Sequence, residues 1–164
     1  MRLLLAFLIF FSFNAISATS PNCSVNGAFH GKLFELSVVT SFRGSYNFKF
    51  CFDKTSYLIS EYLEVVSVKQ PSRTTVKHDS KAKLDPNTAL MIKDLYRSVQ
   101  ATIKNDISRG MDGSTWCFKP KNGNNYSETC LWSPYSNTER RNLTDLVTLG
   151  NKLFEISNFE SVQQ

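Results

Sequence analysis

Four cysteines, two histidines, a cluster of lysines and two tryptophans are the residues of this 164-residue chain that could do chemistry or hold a partner. Cys23, Cys51, Cys117 and Cys130 contain no C-x-x-C and share no zinc-type spacing with histidine, so bridging is the chemistry they suggest. His30 precedes an apolar run, and His78 lies in a basic stretch. His78-Asp79-Ser80 looks like a triad in print, but adjacent residues cannot adopt triad geometry among themselves. G-x-S-x-G, H-E-x-x-H and a phosphate-binding glycine loop are all missing, and the acids are scattered. No catalytic residue, metal site or cofactor is assigned.

Positive charge is concentrated. The chain has 19 basic and 14 acidic residues, formal net charge +5, and much of the excess falls in KQPSRTTVKHDSKAK, residues 69–83. Arg73, Lys77 and Lys81, with His78 beside them, are the candidate partner-binding residues. With Pro71 and few apolar positions, the segment reads as a long exposed loop or a pair of frayed strand ends. Such a loop draws anionic partners. Nucleic acid fits poorly, because no aromatics are interleaved with the charges. An acidic protein surface or an anionic envelope polymer fits better.

The first eighteen residues set the compartment. Arg2 precedes the apolar run Leu3–Phe13, and Ile16-Ser17-Ala18 resembles a cleavage site, with a cut after Ser17 as its rival. Residues 1–18 therefore read as a cleaved signal peptide and 19–164 as a single α+β domain. The run is shorter than the roughly 20 residues that span a bilayer, and no second run follows. A periplasmic or secreted protein with no membrane span after cleavage is expected. An even cysteine count there implies two disulfides, for which three pairings exist.

The elements select among the pairings. Ser114–Pro120 and Tyr126–Trp132 are strand-like runs around Gly123-Asn124, a good two-residue hairpin turn. That register sets Cys117 opposite Cys130 in a non-hydrogen-bonded pair, where the two chains approach closest. It also sets Lys119 opposite Glu128 and leaves Pro120 in a hydrogen-bonded position, which demands an edge or a bulge. By elimination Cys23 bridges to Cys51. Trp116, Phe118 and Leu131 share the core face. Trp132 shares the polar face with the bridge, where it could anchor a partner unless a helix covers it.

Upstream, Phe34, Leu36 and Val38 alternate with polar neighbours, and so do Tyr46, Phe48 and Phe50. The β-branched run Tyr57–Lys69 predicts a third strand. Asp85-Pro86 starts a helix with the stripe Ala89, Ile92, Tyr96, Val99, Ile103 and Ile107, closing at Arg109-Gly110. Ser136 and Glu139 have capping-box spacing for a second helix. Its stripe is Leu143, Leu146, Val147, Leu153 and Phe154, with Gly150 on the same face. The fold expected is α+β, an antiparallel sheet of four to six strands with two packed helices, stapled by disulfides.

The tail GSTWCFKP…ETCLWSP…NLTDLVTLGNKLFEI, between Asp112 and Ile156, resembles the C-terminal part of small exported bacterial proteins. The resemblance implies a bacterial periplasm and carries no activity, ligand or catalytic residue. The function expected is a non-enzymatic binding protein of inhibitor or immunity type. A small hydrolase of cell-envelope polymer and an envelope assembly factor are the alternatives.

Overall fold

A computed structural model describes Cys23 and residues 31–69, 72–122 and 125–161. Residues 1–18, expected as a signal peptide, His30, and residues 123–124, expected as the hairpin turn, lie outside the described residues. The elements run β1 (Gly31–Thr40), β2 (Gly44–Phe52), β3 (Tyr57–Lys69), β4 (Ser72–Lys83), α1 (Pro86–Thr102), β5 (Ser114–Asn122), β6 (Asn125–Tyr126), β7 (Thr129–Trp132) and α2 (Thr144–Ser157).

Four consecutive strands form a meander, and α1 then carries the chain back so that β5 pairs with the free side of β1. The order is β4-β3-β2-β1-β5, with β6 and β7 successive along the outer edge of β5, all antiparallel. This is the expected disulfide-stapled α+β fold, six strands wide. Both bridges form, Cys23–Cys51 and Cys117–Cys130. The hairpin register is the one derived above, with Trp116 opposite Leu131 and Cys117 opposite Cys130.

Pro120 is accommodated on the outer side. β5 is an inner strand, and the ladder beyond it is interrupted at residues 127–128, opposite the missing N–H. The expected cross-strand pair Lys119–Glu128 therefore has no ladder to hold it.

Alternation converts directly into two faces. Phe34, Phe50 and Leu58 make one apolar row across the strands, and Trp116, Val38, Tyr46 and Tyr62 make another. Between them Phe118, Leu36 and Phe48 align. These residues and both helices share a single core. α1 contributes Ala89, Ile92, Tyr96 and Val99, and α2 contributes Leu146, Leu149, Leu153 and Phe154. Asp85 caps α1 by accepting from the N–H groups of Asn87 and Thr88, both at 3.0 Å. Gly150 lets α2 sit directly on the Trp116 indole, since a Cβ there would lie 2.1 Å from the ring.

Three elements differ from expectation. Within the stretch expected as a loop or frayed strand ends, Ser72–Lys83 is a regular twelve-residue strand whose backbone pairs with β3 whatever its side chains. α1 ends at Thr102, capped by Ile103 in an extended conformation, so Ile107 is 95% exposed and Gly110 is not a helix cap. Asn105 and Asp106 are weak helix formers, and Asp106 is drawn instead to Arg141 at 2.7 Å. α2 starts at Thr144 rather than near Ser136. Asn137 and Asn142 take positive φ of 53° and 55°, which no continuous helix allows and which asparagine tolerates.

Two substitutions test this packing. A helical Gly→Ala change ordinarily stabilises by about 1 kcal/mol. Gly150→Ala should instead destabilise, because overpacking against Trp116 costs about 1–3 kcal/mol. Val99→Asp should cost several kcal/mol more, by burying an unpaired charge. Denaturant melts of both variants check the signs.

Candidate binding face

The helices cover one face of the sheet. The opposite face is built from the alternate residues of five strands, and neither helix packs on it. Across it run Lys81, Ile59, Lys49, Glu35 and Lys119 in one row. Asp79, Glu61, Asn47, Ser37 and Cys117 make the next, and Lys77, Leu63, Ser45, Val39 and Thr115 the third.

The sequence-predicted site residues are divided by this geometry. Lys77 and Lys81 project from β4 onto the bare face, and Arg73 occupies an odd position of the same strand, opposite Val68. His78 faces the helix side, opposite Tyr62, and stacks on its ring at 5.6 Å. Trp132 lies on the far side of the sheet, on β7. With about 4.8 Å between strands, five steps separate β4 from β7 by about 24 Å. A partner touching both edges must span the whole face.

Trp132 is half-buried, and neither helix covers it. Its ring is seated on Gly110, where a Cβ would come within 1.9 Å. Arg141, missed by the sequence reading, fixes that corner. Its guanidinium donates to the carbonyls of Trp132 (2.8 Å), Ser133 (2.8 Å) and Ser136 (2.9 Å) and to the Asp106 carboxylate. Burial works against the charge on Asp106, but the Arg141 and Ser108 hydrogen bonds outweigh it and hold the pKa below the usual value.

The charges on the bare face are partly satisfied among themselves. Lys77 lies 2.6 Å from Glu61 and 3.1 Å from Asp79, and those hydrogen bonds raise its pKa. Lys32 and Lys49 flank Glu35 at 3.1 and 3.9 Å. Lys81 instead lies over the Tyr57 ring, 5.1 Å from its centroid. Among the described residues no carboxylate pairs with Lys81, Lys83 or Lys119.

On the helix side, His78 Nε2 meets Glu64 Oε2 at 2.9 Å. The pair borders a recess of about 440 Å³ that also takes in Tyr46, Tyr62, Phe159 and Glu160. A histidine–carboxylate pair can orient an imidazole for proton transfer. The neighbouring hydroxyls are poor nucleophiles: Tyr62 donates to the Arg43 carbonyl at 3.1 Å, and burial pushes the Tyr46 pKa up. A recess of about 610 Å³, lined by Phe52, Leu84, Ala89 and Leu90, contains none of the predicted site residues.

Period-two patterning could have revealed β4. Charges occupy positions 73, 77, 79, 81 and 83, while Thr74, Val76, Ser80 and Ala82 fall between them. Comparison of the chain with protein families, with curated proteins and with solved structures returns no match.

Glu35 gives the face a pH dependence. Burial raises its pKa more than any other single influence, but hydrogen bonds from Asn47 (3.0 Å) and Lys32 (3.1 Å), with the charges of Lys32 and Lys49, outweigh it together. The net pKa lies below the ordinary 4.5. A depressed carboxyl stabilises the fold above its unfolded pKa, and that contribution is lost as pH falls through the folded value. Glu35→Gln should therefore cost about 1 kcal/mol at pH 7. The deficit should shrink once the pH drops below 4.5. Denaturant titrations at neutral and acid pH measure the difference.

Proposed function

We propose that this is an extracytoplasmic binding protein of inhibitor or immunity type, which holds an acidic protein surface against the bare face of its sheet. The observation that carries the reading is the set Lys81, Lys83 and Lys119, which have no ion pairs among the described residues, on a face that neither helix covers. Exposed lysines of this kind steer association and fix register more than they stabilise the fold. Two disulfides fit an oxidising compartment, extracellular or periplasmic. No described helix is long and apolar enough to cross a membrane.

A second reading, a hydrolase of envelope polymer, has the His78–Glu64 pair in its favour. It requires turnover that His78→Ala abolishes.

Immobilised protein can be challenged with extracytoplasmic extract at two salt concentrations. A component retained by the wild type should be lost from the triple variant Lys81→Glu, Lys83→Glu, Lys119→Glu. It should survive in Arg97→Glu, which alters an exposed charge on α1. Stability should change by about 0.5 kcal/mol or less at each of the exposed Lys81 and Lys83, since exposed charges contribute little, and Lys119, half-buried on β5, sets the larger part of any loss. Equal retention by the triple variant would remove the bare face from the account, and a polymer rather than a protein among the retained material would change the partner class.

A further inference from the structure

We infer that the partner is bound as an added strand: an extended acidic segment pairs through its main chain with the outer edge of β4. This rests on the acidic-partner reading above and specifies how that partner is held.

β4 ends the strand order, and among the described residues it pairs only with β3. Its outer row of N–H and C=O groups is a template for another strand. Residues 74–79 are exposed one after another, on both faces. The template is also regular. The one register shift in the β3–β4 ladder falls between Val65 and Ser67, on β3, and pairing is unbroken from Thr75 to Lys83. That stretch exceeds the five or six residues of an ordinary strand.

The side chains select the occupant. On the bare-face side the edge presents Lys77, Asp79, Lys81 and Lys83, of which Lys77 is already held by Glu61 and Asp79. An incoming strand meets Lys81 and Lys83 with residues two apart, and carboxylates there make directly opposed charge pairs. The residue between them falls opposite Ala82, on the helix side. Farther along, Val76 is 41% exposed and suits an apolar residue on the helix side. A second copy of β4 is a weaker match, because Asp79 is the only acid of the strand and at most one lysine of each copy can lie opposite it. The same lysines that weaken self-pairing therefore favour an acid-x-acid strand.

The test uses the full chain and synthetic eight-residue peptides, rich in β-branched residues, with two glutamates two apart. One peptide is N-methylated on one alternate set of amides and another on the complementary set. In an added strand only one set of N–H groups points at β4. One methylated peptide should therefore lose affinity tenfold or more while the other stays within about twofold of the parent, the second set facing solvent. Moving one glutamate by a single position, onto the opposite face, should also weaken binding tenfold or more. No binding of the parent peptide, or equal binding of the two methylated forms, overturns strand addition. In the latter case, loss of binding in Lys81→Glu, Lys83→Glu, with an unchanged unfolding midpoint, keeps the acidic-partner reading alone. Parent peptide binding this double variant as tightly as wild type overturns both.

Discussion

The contact between Gly150 and the Trp116 indole is the constraint on which the arrangement depends. Trp116 is fully buried, its Nε1 donating to Ser114 Oγ at 3.0 Å and its ring meeting Tyr135 edge-on at 5.5 Å. A side chain at position 150 would lift α2 off that ring. With α2 seated, α1 packs beside it, and Ser98 of α1 donates to Asp145 in the first turn of α2. Both helices are thereby committed to the aromatic face. Neither helix is then available to cover the other face.

That division follows from alternation, which was legible. The core-facing sets Phe34–Leu36–Val38 and Tyr46–Phe48–Phe50 came from period-two patterning and the hairpin register from one turn and one count, whereas the pairing of those sets into rows across β1, β2 and β5 is visible only in the structure. What the sequence concealed were outcomes of competition. Ile107 continues the helical stripe of α1 on paper, but the Arg141 guanidinium takes Asp106 and the helix stops. Ser136 and Glu139 have cap spacing, but Asn137 and Asn142 adopt left-handed conformations and Arg141 collects the carbonyls of Ser133 and Ser136. In both places Arg141 outweighed the local signal, from 35 residues away at Asp106 and from within the same loop at Ser136. Single-residue spacing does not reveal such a partner.

β4 was hidden for a different reason. Strands are recognised by apolar alternation, and this one alternates charge with small or β-branched residues. Its backbone bonds to β3 need no hydrophobic side chain, and its exposed position imposes none. The division of the predicted site residues follows from the same fact. In a loop Lys77, His78 and Lys81 could converge on one ligand. In a strand His78 must turn away from its neighbours, and it joins Glu64 and Tyr62 on the helix side.

The bare face needs no helix over it, because its polar residues shield apolar ones. Lys81 rests on Tyr57, and Lys49 extends toward Glu35 across the strands. Long charged side chains bury their stems and keep their heads in water, so such a face can be left open without becoming a sticky apolar patch. At the edge the charges do more. An exposed strand of this length is an aggregation hazard, and lysines along it are a common protection. Protection by charge is selective by its nature: it repels what is basic and favours an acidic strand over a neutral one.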